Sequence, residues 1–311
     1  LKLALQNLAA TKKLASKELD LICSFGERMS SKIVAAYSSK TGLAAAAYNA
    51  YDVGMITDSN FGEAEVLPDS YEKIAVAFKK INDLAIVTGF IGKTKNGEVT
   101  TLGRGGSDYT AAIIGAAVGA EEIEIWTDVD GIMTADPRIV KDAKTVPIVS
   151  FDEASELAYF GAKVLHPKTI LPAMRKNIPV RVLNAFNPSN QGTLIVDNSV
   201  YKVKKEVMGD KANGITAITC KKNISMINIH STRMLFAYGF LSRVFKIFND
   251  CNVPVDMIST SEVNVSLTVD GRFDLGSVIE GLNAFSTAEL VRGKASMSVV
   301  GSGIKFTPGL A

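Results

Sequence analysis

Only two histidines, His166 and His230, and three scattered cysteines, Cys23, Cys220 and Cys251, occur in the 311 residues. So few ligands at such spacings make neither a zinc cluster nor a disulfide framework. No metal site built from the protein's own side chains is therefore expected, and unpaired cysteines fit a reducing cytoplasm. Long apolar runs are also missing. The longest, Ala111 to Ala120, is interrupted by two glycines and is too short to cross a bilayer. No basic-then-apolar leader opens the chain. Charge of one sign is not in excess either: 34 Lys and Arg against 32 Asp and Glu leave +2. That balance gives no electrostatic case for binding nucleic acid or a membrane. The chain opens at Leu1 and ends at Ala311, shortly after Gly301-Ser302-Gly303; it reads as a fragment, or as a chain with segments missing.

What is present is an ordinary globular composition, 47% hydrophobic and 21% charged, at a length that suggests two domains. Leu1, Leu5, Leu8, Ala9 and Ala15 recur at helical spacing and predict a helix over residues 1–19. Short apolar runs at Leu84–Thr88, Ile123–Thr127 and Val180–Asn184 predict strands, with helices over 108–118 and 152–160 between them. Strands alternating with helices imply an α/β fold with a mostly parallel sheet, whose ligands lie beyond the carboxyl ends of the strands. Polar and turn residues between Tyr201 and Asn213 mark a domain boundary, set at 204/205. Beyond it, strands at 224–229, 255–258, 263–269 and 295–300, with helices at 239–249 and 277–284, make a β-α-β-β-α-β ferredoxin-like unit. The second helix is short, so residues are expected to be missing around 270–294.

The most informative stretch is Thr100-Thr-Leu-Gly-Arg-Gly-Gly-Ser-Asp-Tyr-Thr, a glycine-rich turn opening into an alanine-rich helix. Glycines let backbone approach a ligand, and a helix N-terminus offers free N–H groups to an anion. Ser107 or Asp108 is the expected cap, and Arg104 offers a fork to carboxylate or phosphate. An ordinary strand-to-helix turn explains the same glycines. Ile91-Gly-Lys-Thr resembles the tail of a P-loop, but the first glycine of that motif would fall on Val87, which rejects the assignment. Trp126-Thr-Asp-Val-Asp-Gly-Ile-Met-Thr-Ala-Asp-Pro-Arg follows a strand, where Thr127 and Asp128 could meet a base or ribose and Arg138 a phosphate. Asp-Gly and Asp-Pro are equally ordinary turn formers. Phe25-Gly-Glu-Arg reads as a strand or turn leading into a helix, with Glu27 either holding an ammonium group or complementing the helix dipole. Lys163 sits in apolar surroundings, aimed at a ligand or snorkelling to solvent.

Ser24–Arg28, Thr88–Gly92, Thr100–Tyr109, Trp126–Arg138 and Leu157–Pro167 together resemble the aspartate kinases of the amino-acid kinase superfamily, in the family's order. The stretches Ile224–Ile229, Gly239-Phe-Leu and Val255–Val263 resemble the ACT regulatory domains that follow the kinase in that family. The resemblance implies a three-layer αβα sandwich over residues 1–204 and ACT regulatory structure, incomplete, over 205–311. It implies transfer of the γ-phosphoryl group of ATP, with Mg2+, to the side-chain carboxylate of L-aspartate. Arg104 would hold the substrate α-carboxylate and Glu27 its ammonium group, with Gly105, Gly106, Ser107 and Phe90 lining the substrate. Asp108 would orient the phosphate-binding lysine. Thr127 and Asp128 would contact the nucleotide, Arg138 and Lys163 its phosphates, and Val164 would flank it. Met133 stands where the family carries a tyrosine.

The family opens with a Lys-Phe-Gly-Gly-Thr-Ser strand and loop, whose lysine stabilises the transferring phosphoryl group and which this sequence does not show. A chain truly lacking it is expected to lose most catalysis. ACT resemblance also implies a homodimer or higher homo-oligomer and an amino-acid effector, lysine favoured, in a pocket of Met234, Gly239, Phe240, Leu241, Val255 and Asp256. Asp256 capping a turn after Pro254 is the plainer reading. Phe236 and Ala237 replace a His-Ser pair of the lysine-inhibited subclass. The rival readings are a sister kinase for acetylglutamate or uridylate, a non-catalytic amino-acid-binding regulator, and a Rossmann dehydrogenase.

Overall fold

A computed structural model describes residues 2, 5, 6, 9, 14–161, 165, 167–207, 214–232 and 238–304. The chain divides into two compact units, residues 1–217 with 300–311, and residues 218–299. The first contains α1 (Ser16–Lys40), β1 (Ala45–Tyr48), β2 (Ile56–Thr57), α2 (Ser70–Phe78), β3 (Leu84–Val87), β4 (Ile91–Thr94) and β5 (Val99–Thr101). It continues through α3 (Gly106–Val118), β6 (Ile123–Thr127), β7 (Ile148–Ser150), α4 (Phe151–Tyr159), α5 (Pro167–Lys176), β8 (Val180–Asn184), β9 (Thr193–Val196) and α6 (Asn198–Val207). Strands β1 and β3 pair in parallel, β2-β4-β5 form a second sheet, and β6-β8-β9-β7 a third. The β2/β4, β6/β8 and β7/β9 pairs are parallel, while β4/β5 and β8/β9 are antiparallel. The fold is thus α/β with mixed, mostly parallel sheets.

Helix α1 runs for 25 residues without proline, with Glu18 in its first turn and Lys40 in its last, both complementing the helix dipole. Its buried residues are Asp20, Ser24, Ser31 and Ala35, spaced to share one face. Small side chains there let the helix lie close to β1 and β5. Phe25-Gly-Glu-Arg lies in the middle of this helix, not in a strand or turn leading into one. A mid-helix glycine costs about 1 kcal/mol, which the packing of the buried face outweighs. Of the predicted helix at 1–19, Lys2, Leu5, Gln6 and Ala9 are helical, whereas Leu14 and Ala15 are not, and α1 starts afresh at Ser16.

Helix α3 is apolar on all sides because it separates two cores. Ala116 packs with Ile123, Ile125, Val149, Leu157, Ile170 and Val182. Ile113, fully buried, packs with Ala50, Met55 and Ile74. Burying such an isoleucine is worth about 2–3 kcal/mol, so the helix that begins in the glycine-rich turn is firmly held along its length.

Glu153, only 4% exposed, gathers several segments of the first unit. With Ser150 it makes a capping box that starts α4, satisfying two otherwise unpaired donors. Its Oε1 also accepts from Tyr201 Oη at 3.2 Å, Thr216 Oγ1 at 2.7 Å and the Ser302 N–H at 2.9 Å. Thr216 in turn donates its N–H to the Val300 carbonyl at 2.7 Å.

The second unit carries β10 (Ala217–His230), α7 (Phe240–Asp250), β11 (Met257–Thr260), β12 (Asn264–Asp270), α8 (Gly276–Asn283) and β13 (Thr287–Val300), with Ala217 and Val300 at the outer ends of β10 and β13 belonging to the first unit. The sheet order is β11-β12-β10-β13, the ferredoxin-like arrangement. Ile227, Ile229, Val265, Leu267 and Val269 bury one face of the sheet against Phe240, Val244 and Phe248 of α7 and Val278 and Leu282 of α8. The expected gap around 270–294 is filled. Residues 271–275 form a turn, α8 takes eight residues, and β13 is a single strand of 14.

Replacing Glu153 with alanine removes the acceptor of four donors, two of them in buried and two in part-buried bonds. Glu153→Ala should cost the first unit roughly 2–4 kcal/mol in urea denaturation followed by a probe within residues 1–217. A loss below about 0.5 kcal/mol, the scale of neutral surface changes, would remove Glu153 from this organising role.

Candidate active site

The glycine-rich turn leaves β5 at Thr101 and enters α3 at Gly106. Gly103 and Gly105 hold φ of 75° and 70°, left-handed values that favour glycine. Gly105 is the N-cap and no side chain caps the helix. Ser107 and Asp108 fall in the first turn, so neither is the cap expected from sequence, and the first N–H groups of α3 have no side-chain acceptor. Such an end is suited to an anion.

Two close approaches fix the turn against the β3–β4 connection. A Cβ on Gly106 would lie 2.7 Å from Phe90 Cδ2 and 3.1 Å from Phe90 Cα. One on Gly89 would lie 2.8 Å from Ser107 Cβ. Phe90 itself holds φ 67°, a conformation costing a non-glycine residue about 1–2 kcal/mol. It is pinned by its N–H donating to Thr110 Oγ1 at 3.0 Å and its carbonyl accepting from the Leu102 N–H at 2.9 Å. Phe90, Gly105, Gly106, Ser107 and Asp108 are therefore brought together. Thr110 and its bond to Phe90 were not legible beforehand.

Three of the charged side chains singled out in the sequence have no partner among the described residues. Arg104 is exposed and has no partner among the described residues. Glu27 and Asp108 are half-buried, and burial pushes both carboxyls above the usual carboxylate range. Neither side chain has a hydrogen-bond or ion-pair partner among the described residues. Glu27 lies seven residues beyond Asp20 on α1, about 10 Å further along the helix at 1.5 Å per residue. On the far side of α3's first turn, burial and the neighbouring Glu65 raise the Tyr109 hydroxyl to about 12. Lys168 pairs with Glu65 at 2.6 Å and stacks on the Tyr109 ring.

Thr127 ends β6, its carbonyl accepting from the Ala185 N–H at 2.8 Å and its hydroxyl meeting Asp128 Oδ1 at 3.1 Å. Asp128 is exposed. The following loop is set by Asp130, which accepts from Asn184 Nδ2 at 2.8 Å and Asn187 Nδ2 at 3.2 Å. The only early sign of that contact was the abundance of turn residues. Met133 bridges to Thr145, whose hydroxyl lies 3.6 Å from its sulfur. Arg138 is exposed and folded onto Asp136 by two side-chain bonds of 2.9 and 2.6 Å. Lys163 and Val164 lie outside the described residues.

In the second unit Gly239, at φ 77°, is the N-cap of α7 without a side-chain cap. Phe240 is in the core and Leu241 is exposed. Val255 packs against that core. Asp256 precedes β11, donates its N–H to the Thr268 carbonyl and pairs through Oδ2 with Lys221 Nζ at 2.5 Å. Asp270 lies 3.8 Å from the same Nζ. Met234 lies outside the described residues. No helix of the described residues is long and apolar enough to cross a membrane, and no group of three His, Cys, Asp or Glu among them could hold a metal ion.

A glycine turn, an open helix N-terminus and an unpaired arginine beside it are together suited to an anion. Residues 2–184 match the amino acid kinase family. Aspartokinase 1, chloroplastic, of Arabidopsis thaliana is 42% identical over 96% of this chain and 53% of its own. The crystal structure of Escherichia coli aspartokinase III with aspartate and ADP (R-state) superposes with a TM-score of 0.82 at 35% identity, covering 99% of this chain and 70% of that one. The same enzyme with lysine and aspartate (T-state) gives 0.76 at 36% identity, over 96% and 68%. The chain belongs to the amino acid kinase family, and within it to the aspartokinases. It spans about half the length of the Arabidopsis relative.

Burial raises the folded pKa of Glu27 above its unfolded value. Ionising it therefore costs stability, a cost that is absent below the unfolded pKa and complete above the folded one. Glu27→Gln should accordingly raise the thermal midpoint at neutral pH, and the gain should vanish near pH 3, where both states of glutamate are protonated. A variant less stable than wild type at neutral pH would show that the carboxylate is paired.

Proposed function

We propose that this chain carries out the aspartokinase reaction, transfer of the γ-phosphoryl group of ATP to the side-chain carboxylate of L-aspartate, giving 4-phospho-L-aspartate. The observation that carries this reading is the unpaired Arg104 in the turn that opens α3, together with a half-buried, unpaired carboxylate at Glu27. An arginine suits the α-carboxylate of an amino acid and a carboxylate its α-ammonium group. Gly105, Gly106, Ser107 and Phe90 line the substrate. The acceptor carboxylate is already ionised at neutral pH and needs no general base. The chemical difficulty is bringing two anions together, so cations and N–H groups carry the catalysis. Mg2+ enters as part of the nucleotide substrate. Thr127, Asp128 and Met133 face the nucleoside, Arg138 and Lys163 the phosphates, and Val164 flanks them. Arg138 must leave Asp136 to act, a switch between two charged partners of similar strength. Asp108, held above the usual range by burial, orients a phosphate-binding lysine.

Incubation with ATP, Mg2+, aspartate and hydroxylamine should trap aspartyl hydroxamate. An intact enzyme yielding none above background would defeat the reading. Arg104→Ala should weaken aspartate use by about 2–5 kcal/mol while leaving the ATP constant little changed, and Lys163→Ala should do the reverse. Both variants raising the ATP constant alone would reverse the assigned roles.

Regulation is assigned to the second unit. Of the ACT region set at 205–311, residues 218–299 form the second compact unit, while 205–217 and 300–311 group with the first; the reaction takes place in the cytoplasm as the first step of lysine, threonine and methionine biosynthesis. Strand β11 is the end strand of its sheet and exposed at all four residues, an open edge that a second copy would cover. The effector is an amino acid, lysine favoured, held by Met234, Gly239, Phe240, Leu241, Val255 and Asp256. The Escherichia coli relative's complex with lysine supports this choice. Two carboxylates, Asp256 and Asp270, lie on the same cation, Lys221, which places acidic side chains beside the proposed pocket. Asp256→Ala should relieve lysine inhibition with uninhibited activity nearly unchanged, and inhibition curves that coincide would remove Asp256 from the pocket.

A further inference from the structure

Asp20 is a buried carboxylate that the reaction outlined above does not use. It is 2% exposed and forms no ion pair among the described residues. Its charge is held by three donors. Oδ2 accepts the N–H groups of Gly62 at 2.9 Å and Thr101 at 2.8 Å, and Oδ1 accepts the Thr101 hydroxyl at 2.8 Å. An ion buried without a counter-ion is an expensive fastening. If the task were only to hold α1 against β5, an apolar contact would do it at lower cost.

What distinguishes Asp20 is where its donors lie. Thr101 is the last residue of β5, two positions before Gly103. Gly62 and Glu63 form the surface on which Gly103 rests, since a Cβ on Gly103 would meet Gly62 O and Glu63 Cγ, both at 3.2 Å. The Ala64 N–H also bonds the Thr101 carbonyl at 2.9 Å. One carboxylate therefore sets both the departure point of the glycine-rich turn and the surface beneath it. On the other side the Leu102 N–H bonds the Phe90 carbonyl at 2.9 Å, so Gly103 leaves β5 between two fastened points, and the Arg104 side chain, with no partner among the described residues, adds none of its own.

We propose that Asp20 is a positioning residue for the substrate turn: by joining Gly62 to Thr101 it fixes where Gly103 leaves β5 and so where Arg104 is presented. The functional half of this inference rests on the reading of Arg104 as the holder of the substrate carboxylate. The positional half does not. A carboxylate suits the task because two oxygens take three donors converging from two segments, which an amide with one acceptor oxygen does not do.

The test uses the full-length protein and three variants. Thr101→Val removes one donor and keeps the shape, Thr101→Ser keeps the hydroxyl, and Asp20→Asn removes the charge. Backbone amide exchange reads position without any need for activity. In Thr101→Val, amides at 60–64 and 102–107 should exchange about tenfold faster, the scale of one lost hydrogen bond to a charged group, with β8 unchanged. Thr101→Ser should match wild type and Asp20→Asn should exceed Thr101→Val. In steady-state kinetics the aspartate KM should rise about tenfold in Thr101→Val while the ATP KM stays within about twofold.

A folded Thr101→Val with wild-type exchange in the turn would overturn the proposal, whatever Asp20→Asn does. Faster exchange with both KM values moving together, or with only the melting temperature falling, would overturn the functional half. A wild-type protein that makes no aspartyl hydroxamate would overturn the aspartokinase reading instead, and the exchange result would still decide the placement of the turn.

Discussion

Burying a carboxylate is tolerable only where donors surround it, and in the first unit that demand falls on Glu153. Four donors from four places answer it: the start of α4, Tyr201 on α6, Thr216 and Ser302. Two of these places are the segments through which the chain leaves for residues 218–299 and returns. They are also bonded to each other, from the Thr216 N–H to the Val300 carbonyl. The same glutamate that starts α4 thus ties down both connections to the second unit. The chain from α4 leads on to Lys163, so the tie lies upstream of the segment assigned to the phosphates.

The turn at Gly103–Ser107 follows the opposite principle. Where Glu153 is fully satisfied, Arg104, Glu27 and Asp108 have no partner among the described residues. The half-buried carboxyls of Glu27 and Asp108, left unpaired, cost the free protein stability, a cost that a ligand of complementary charge would offset on the proposed reading. Phe90 adds backbone strain at the same place. A site of this kind survives because α3 is anchored in two hydrophobic cores and because Asp20 fastens the strand end from which the turn departs. Rigid surroundings hold a locally unfavourable arrangement open.

Much of this was legible in the residues. The strands at Ile123–Thr127 and Val180–Asn184 coincide with the runs that predict them, because Ile123, Ile125, Val180 and Val182 recur at every second residue and are buried, while Glu124, Trp126 and Arg181 between them are not, the period of a strand with one face in the core. The ferredoxin-like order of the second unit follows from period-two alternation in Asn264–Asp270 and the four-residue spacing of Phe240, Val244 and Phe248. The glycine turn announced itself because only glycine fits where Cβ atoms would collide. Phe25-Gly-Glu-Arg was misread because a glycine beside an aromatic is a fair turn signal. Its neighbours' packing on β1 and β5 is a long-range fact that no local window contains.

The sequence by itself determined the α/β class, the order of the elements and the chemistry available at Arg104, Ser107, Asp108 and Thr127. Those properties follow from side-chain type and spacing along one stretch of chain. Only the tertiary structure decided that Asp20, an acid between two leucines, sits beneath the glycine turn, that Glu153 serves four segments, and that Asp256 faces Lys221 across 35 positions of sequence. Each of these is a carboxylate satisfied by donors distant in the chain. Hydrogen bonds act over about 3 Å in space, whatever the separation in sequence.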